Sequence, residues 1–186
     1  MALSGIILAG GKSSRMGQDK GLVDFQGKRM VEYAIDLLNP YCDELLISIN
    51  QPGYENFGLK LVADQYPNFG PIGGLHASLK EAKNEWSLVL GCDMPFLTPE
   101  FIELLISKQT DTSGVIPIHE RGIEPMAAMY HNRLVPQLET HILKGSLKLQ
   151  QVFLELPVSF VDVTDLLKQL PKLFGNLNHP SDLKSR

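Results

Sequence analysis

The chain predicts an α/β sandwich with a mostly parallel central sheet. Short apolar, β-branched runs alternate with segments of helical spacing. Several of those runs are apolar at nearly every position, as strands covered on both faces are. Gly (16 residues) and Pro (12 residues) are spread between elements rather than gathered into a linker, so residues 1–186 read as one domain.

The elements follow in order. Ser4–Leu8 is a buried-strand run ending in Gly10-Gly11. Arg29–Asn39 spaces Met30, Val31, Ala34, Ile35 and Leu38 as one helical face, with Pro40 beyond its end. Glu44–Ile49 and the shorter Lys60–Ala63 are strands, and Pro71–Asn84 is a helix entered through a glycine-rich loop. Trp86–Leu90 is a strand. Thr98-Pro99-Glu100 supplies an N-cap, a first-turn proline and an early acidic residue for a helix ending near Lys108. Gly114–Ile118 and Ala127–Tyr130 read as strands, Arg133–Leu143 and Leu147–Leu156 as helices, and Ser159–Val163 as a late strand.

Composition excludes several classes. Hydrophobic residues make up 44% and charged residues 20%, a globular profile. Lys+Arg is 17 against Asp+Glu 21, a net charge of −4, which argues against duplex nucleic acid as a partner. No apolar run approaches the roughly 18 residues of a membrane helix. Gly5–Ala9 is too short for a signal segment and lacks a basic flank. Cys42 and Cys92 lie far apart, with neither metal spacing nor a disulfide framework, which suits a reduced, cytoplasmic protein.

In a parallel α/β sheet ligands collect beyond the C-terminal strand ends. There stand Gly10-Gly11 with the loop to Lys20, then Asn50, Asp64 and Cys92-Asp93. The first loop runs from a strand into two glycines, followed by Lys12, Arg15, Lys20 and two serines. A turn whose N–H groups can approach a ligand, followed by cations, suits phosphate; a solvated surface turn is the plain alternative. It is not a P-loop, because the first glycine of that motif would fall on Ile6. Nor is it Gly-x-Gly-x-x-Gly, because Gly10 and Gly11 are adjacent.

Asp93 ends a buried strand at the ligand edge. It suits Mg²⁺, which takes one or two carboxylates plus waters and phosphates, and it equally suits a turn before Pro95. Cys92 reads as a small core residue. Asn50 and Asp64 can meet a base or ribose edge, yet taken alone they read as turn formers. Gly70-Pro71-Ile72-Gly73-Gly74 permits close backbone approach or simply punctuates a loop. The five histidines show no metal spacing.

Leu-Ala-Gly-Gly-x-Ser-x-Arg-Met-Gly-x-Asp-Lys at 8–20 resembles the signature of the molybdenum cofactor guanylyltransferases. Cys92-Asp93-Met94-Pro95-Phe96, Gly70-Pro71, Glu124-Pro125-Met126-Ala127-Ala128-Met129-Tyr130 and the Asn176–Asp182 loop are similar to further segments of that family. Met126 stands where the family has leucine. The resemblance implies a Rossmann-like three-layer nucleotidyltransferase fold. It implies nucleotide contacts at Leu8, Ala9, Gly10, Gly11, Arg15, Lys20, Asn50, Asp64 and Asp93, with Lys20 and Asp93 catalytic and Asp93 the Mg²⁺ ligand. It implies pterin contacts at Gly70, Gly74, Asn176 and Asn178. The implied reaction moves GMP from GTP to the terminal phosphate of molybdopterin, with or without bound molybdenum. The implied partner is a molybdoenzyme or chaperone that receives the product. Sister cytidylyltransferases typically carry Leu-Ala-Ala-Gly in the first loop, so Gly10 and Gly70-Pro71 favour guanine by resemblance. Cytidylyl transfer, nucleotidyl transfer to a sugar phosphate, and a non-catalytic carrier are the competing expectations.

Overall fold

The computed structural model describes residues 1–9 and 19–177. The elements in order are β1 (Leu3–Leu8), β2 (Asp24–Phe25), β3 (Lys28–Arg29), α1 (Met30–Leu38), β4 (Glu44–Ile49), β5 (Lys60–Ala63), α2 (Pro71–Glu81) and β6 (Trp86–Gly91). They continue with α3 (Pro99–Ser107), β7 (Gly114–His119), β8 (Gly122–Ile123), β9 (Ala127–His131), α4 (Val135–Leu143), α5 (Leu149–Leu154), β10 (Ser159–Asp162) and α6 (Thr164–Gln169).

The main sheet has the order β10-β7-β9-β6-β1-β4-β5, with β8 paired to β7. β1 is parallel to β4 and β6, β4 to β5, and β7 to β10. β9 runs against both β6 and β7. The reason is chain length. The path from His119 to Ala127 passes through β8 and is too short for the crossover of about a dozen residues that a parallel neighbour needs. From β9 the chain crosses back through α4 and α5, and β10 duly pairs in parallel with β7.

β1 and β6 are buried at every position, whereas the marginal strands β5 and β10 are partly exposed. The alternation of strand side chains builds two cores. Leu3 and Ile7 of β1 pack with Val31 and Leu38 of α1 and Phe101 and Ile102 of α3. Ile6 and Leu8 face the other way, to Leu75 of α2, Leu138 of α4 and Phe153 of α5. The result is the mostly parallel, three-layer, Rossmann-like architecture. Each fully buried Leu or Ile contributes about 1.5–3 kcal/mol relative to exposure.

The β2–β3 hairpin was not legible in the sequence, whereas the glycine-rich entry to α2 was. β2 and β3 form a hairpin closed by Gln26 and Gly27, at φ 55° and 82°. Two positive φ values in succession make the tight turn that twisted strands favour, but Gln-Gly is not the familiar Asn-Gly signal. Helix α2 starts from Gly70 at φ 69° and ψ −157°, backbone essentially restricted to glycine, and Pro71 then opens the first turn. α2 stops at Glu81 rather than Asn84 because Ala82 is already extended. Among the described residues, no helix is long and apolar enough to cross a membrane.

Candidate active site

Strand register places the candidate residues. Leu8 lies opposite Ser48 of β4 and Gly91 of β6, while Ile49 lies opposite Ala63 of β5. Ala9 N–H donates to the Ser48 carbonyl at 3.0 Å, and Cys92 N–H to the Leu8 carbonyl at 3.2 Å. Ala9, Asn50, Asp64 and Asp93 therefore leave the sheet along one edge.

At the β6 end, Lys20 Nζ lies 3.3 Å from Asp93 Oδ2, with side chains 26% and 22% exposed. The pair bridges the two predicted catalytic positions and is open to a ligand. Its partial exposure makes it a modest contributor to stability. Lys20 opens a short 3-10 turn, Lys20–Leu22, capped by Asp19, whose Oδ1 accepts from Gly21 N–H at 3.0 Å. The same oxygen accepts from the Tyr54 hydroxyl at 2.5 Å. Above all, burial pushes the Tyr54 phenol well above its usual pKa, so it stays protonated and donates. Cys92 is buried beside Asp93, and burial raises its thiol pKa strongly. It packs and does not act as a nucleophile.

The C-terminal segment reaches the same place. Leu177 N–H donates to the Asp93 carbonyl at 3.1 Å, which sets the exposed Asn176 beside Asp93. Phe174 stacks on His119 with ring centroids 5.5 Å apart. His119 accepts from Arg121 N–H at Nδ1 (3.2 Å), which leaves Nε2 to donate to Glu124 Oε1 at 2.9 Å. Met126 then accepts from Gly91 N–H at 2.7 Å, so the Glu124–Met126 segment lies against the strand end that carries Asp93.

At the β5 end, both carboxylate oxygens of Asp64 are buried without a well-formed hydrogen bond among the described residues, with the Asn50 and Ser48 side chains as polar neighbours. Burial raises the Asp64 pKa, while neighbouring Asn50 and Ser48 pull it the other way. The carboxyl packs on the first turn of α2. A Cβ on Gly74 would sit 3.2 Å from Asp64 Oδ1 and 2.5 Å from Ser48 Oγ, and one on Gly73 would sit 3.2 Å from Asp64 Oδ2. Glycine there lets the helix start close to the sheet edge, its positive dipole end toward the carboxyl.

The structure thus pairs Lys20 with Asp93, with the backbone next to Asn176 alongside, and separately brings Asn50 and Gly74 to Asp64, Gly70 lying just before the α2 start. Gly74 is buried behind Asp64, whereas Gly70 is exposed. Gly10, Gly11, Arg15 and Asn178 lie outside the described residues. Sequence reasoning gave no weight to Tyr54 or to the His119–Glu124 pair. The Tyr54–Asp19 contact spans 35 positions of chain, which no local pattern signals, whereas His119 and Glu124 meet across the short β7–β8 hairpin.

Comparison with known proteins identifies the family. The family model described as the MobA-like NTP transferase domain matches residues 5–158. The molybdenum cofactor guanylyltransferase of Vibrio vulnificus is 35% identical over 97% of this chain and 92% of its own. That of Vibrio parahaemolyticus is likewise 35% identical, again over 97% of this chain and 92% of its own. Among solved structures, molybdopterin-guanine dinucleotide biosynthesis protein A from Archaeoglobus fulgidus superposes with a TM-score of 0.82 at 27% identity, covering 97% of this chain and 95% of that one. The family match over most of the chain and the 35% identity to these guanylyltransferases, on the same three-layer fold, place this chain in the family of MobA-like nucleotidyltransferases.

Proposed function

We propose that the chain transfers GMP from GTP to the terminal phosphate of molybdopterin, with or without bound molybdenum, releasing pyrophosphate. The observation that carries this reading is the partly exposed Lys20–Asp93 pair at the sheet edge, 3.3 Å apart. The guanylyltransferase relatives, similar over nearly the whole chain, support the choice of nucleotide and acceptor.

An acceptor phosphate oxygen attacks the α-phosphorus in line. A new O–P bond forms as the bond from the α-phosphorus to the bridging oxygen breaks, and pyrophosphate leaves with that electron pair. The acceptor is already ionised, so no side chain need take a proton. Catalysis is then positioning and charge stabilisation. Lys20 meets the charge on the reacting and leaving phosphates. Leu8, Ala9, Gly10, Gly11, Arg15, Asn50 and Asp64 hold the nucleotide, and Asp64 offers its buried oxygens to N–H or O–H donors. Gly70, Gly74, Asn176 and Asn178 belong to the pterin side, with Gly74 contributing only through the backbone it shapes. The product passes to a receiving molybdoenzyme or its chaperone.

Among the described residues, no group of three or more His, Cys, Asp or Glu is placed to cage a metal. Mg²⁺ does not need one, because it binds through one or two carboxylates with phosphates and waters. The partly exposed Asp93 fits that role, and Mg²⁺ held there would neutralise phosphate charge.

The test is pyrophosphate release from GTP, CTP, ATP and UTP with Mg²⁺, with and without molybdenum-loaded molybdopterin. The proposal predicts release only with GTP plus acceptor. Release from CTP would move the chain to cytidylyl transfer, and GTP binding with no release would favour a carrier.

A further inference from the structure

We propose that Tyr54 is a positioning residue that acts through Asp19 to hold Lys20 at the reacting phosphates. The inference rests on the reading of Lys20 as a phosphate contact. Tyr54 is wholly buried, in the loop after β4, far in sequence from the residue it would serve. Its hydroxyl donates to Asp19 Oδ1 at 2.5 Å, a short, charge-assisted hydrogen bond. That oxygen also receives Gly21 N–H at 3.0 Å. The turn is closed further by Leu22 N–H to the Asp19 carbonyl (3.1 Å) and Val23 N–H to the Lys20 carbonyl (3.2 Å). Lys20 therefore stands between two residues that share one anchor. Asp19 is tied by its side chain and Gly21 by its backbone.

Packing points the same way. Gly21 is buried, and a Cβ there would collide with the Tyr54 hydroxyl. The phenol thus lies directly against the backbone that carries Lys20. A lysine side chain is long and flexible, and its ammonium reaches a defined place only if its backbone is fixed. Tyr54 fixes it from inside the core, where no ligand need touch the phenol. Without the hydroxyl, the Asp19 carboxylate keeps only the Gly21 N–H among the described residues, and the turn loses this link to the core.

The experiment compares wild type, Tyr54→Phe, Lys20→Ala and the double variant, a substitution set that keeps the buried ring. The first readout is the rate of pyrophosphate release from GTP with molybdopterin. Tyr54→Phe should lower kcat about tenfold when Lys20 is present, with little change in acceptor KM, and should have little further effect in the Lys20→Ala background. The same fold-loss in both backgrounds would overturn the proposal. The second readout is amide hydrogen exchange at Gly21, Leu22 and Val23. It should accelerate in Tyr54→Phe while the amides of β1 and β6 stay protected. Unchanged exchange at the three turn amides would overturn the proposal. If wild type itself transfers no nucleotide, the reading of Lys20 fails, and the exchange experiment still decides whether Tyr54 holds the turn.

Discussion

At the β6 end of the sheet edge, Lys20 and Asp93 face each other at 3.3 Å, and Asp19 takes donors from both Gly21 and Tyr54. At the β5 end, half-buried Asp64 has both carboxylate oxygens buried without a well-formed hydrogen bond among the described residues, beside Asn50 and Ser48. The contrast separates two kinds of preparation. The β6 end is satisfied and partly exposed, so its charges can meet phosphate with little reorganisation. The β5 end holds a desolvated carboxyl whose compensation comes from the Asn50 and Ser48 side chains, the α2 dipole and, in the proposed complex, ligand donors. One end suits chemistry, the other recognition.

Removing either member of the β6 pair should have the largest effect. Lys20→Ala and Asp93→Ala should each lower the turnover of pyrophosphate release by about 10²–10³, as loss of other preorganised charge contacts does. Near-normal turnover in folded variants would erase the contrast. The next effect belongs to the β5 end and concerns stability. Gly74→Ala would place a Cβ 2.5 Å from Ser48 Oγ and 3.2 Å from Asp64 Oδ1. Such overpacking should cost about 1–3 kcal/mol. Thermal melting would show it, because each kcal/mol lowers the midpoint by roughly 2–4 °C in a protein of this size. An unchanged midpoint would mean that the helix start is looser than its contacts indicate.

The smallest effect sharpens the comparison through pH. Burial holds the Asp64 pKa above its unfolded value, so the native state binds this proton more tightly than the unfolded chain does. That contribution to stability is fully present below the unfolded pKa and is lost as pH rises through the native one. At neutral pH the carboxylate is then a burden, and Asp64→Asn should raise the melting midpoint by about 2 °C. The gain should shrink on acidification toward the carboxylate range. A gain that does not depend on pH would contradict a desolvated carboxyl.

Much of this architecture was legible in the residues. The apolar runs at Glu44–Ile49 and Lys60–Ala63 became strands with those bounds, and Pro99 opens α3 behind Thr98, which holds the N-cap position without making a side-chain capping hydrogen bond. Strand ends alone placed Asp64 and Asp93 on one edge. Pairing direction was not legible locally, because β9 reverses on account of the short path from β7 rather than its own composition. The Gln26-Gly27 hairpin hid behind an uncommon turn residue. Tyr54 was invisible for a deeper reason. Its phenol meets Asp19 across 35 positions of chain, a contact that exists only once the sheet has assembled.

The most direct measurement is steady-state kinetics of GTP for Lys20→Ala and Asp64→Asn side by side, with saturating acceptor. Lys20→Ala should lose kcat, whereas Asp64→Asn should chiefly raise the KM for GTP. Equal loss of kcat in both variants, or an unchanged GTP KM in Asp64→Asn, would contradict the division between a chemical end and a recognition end.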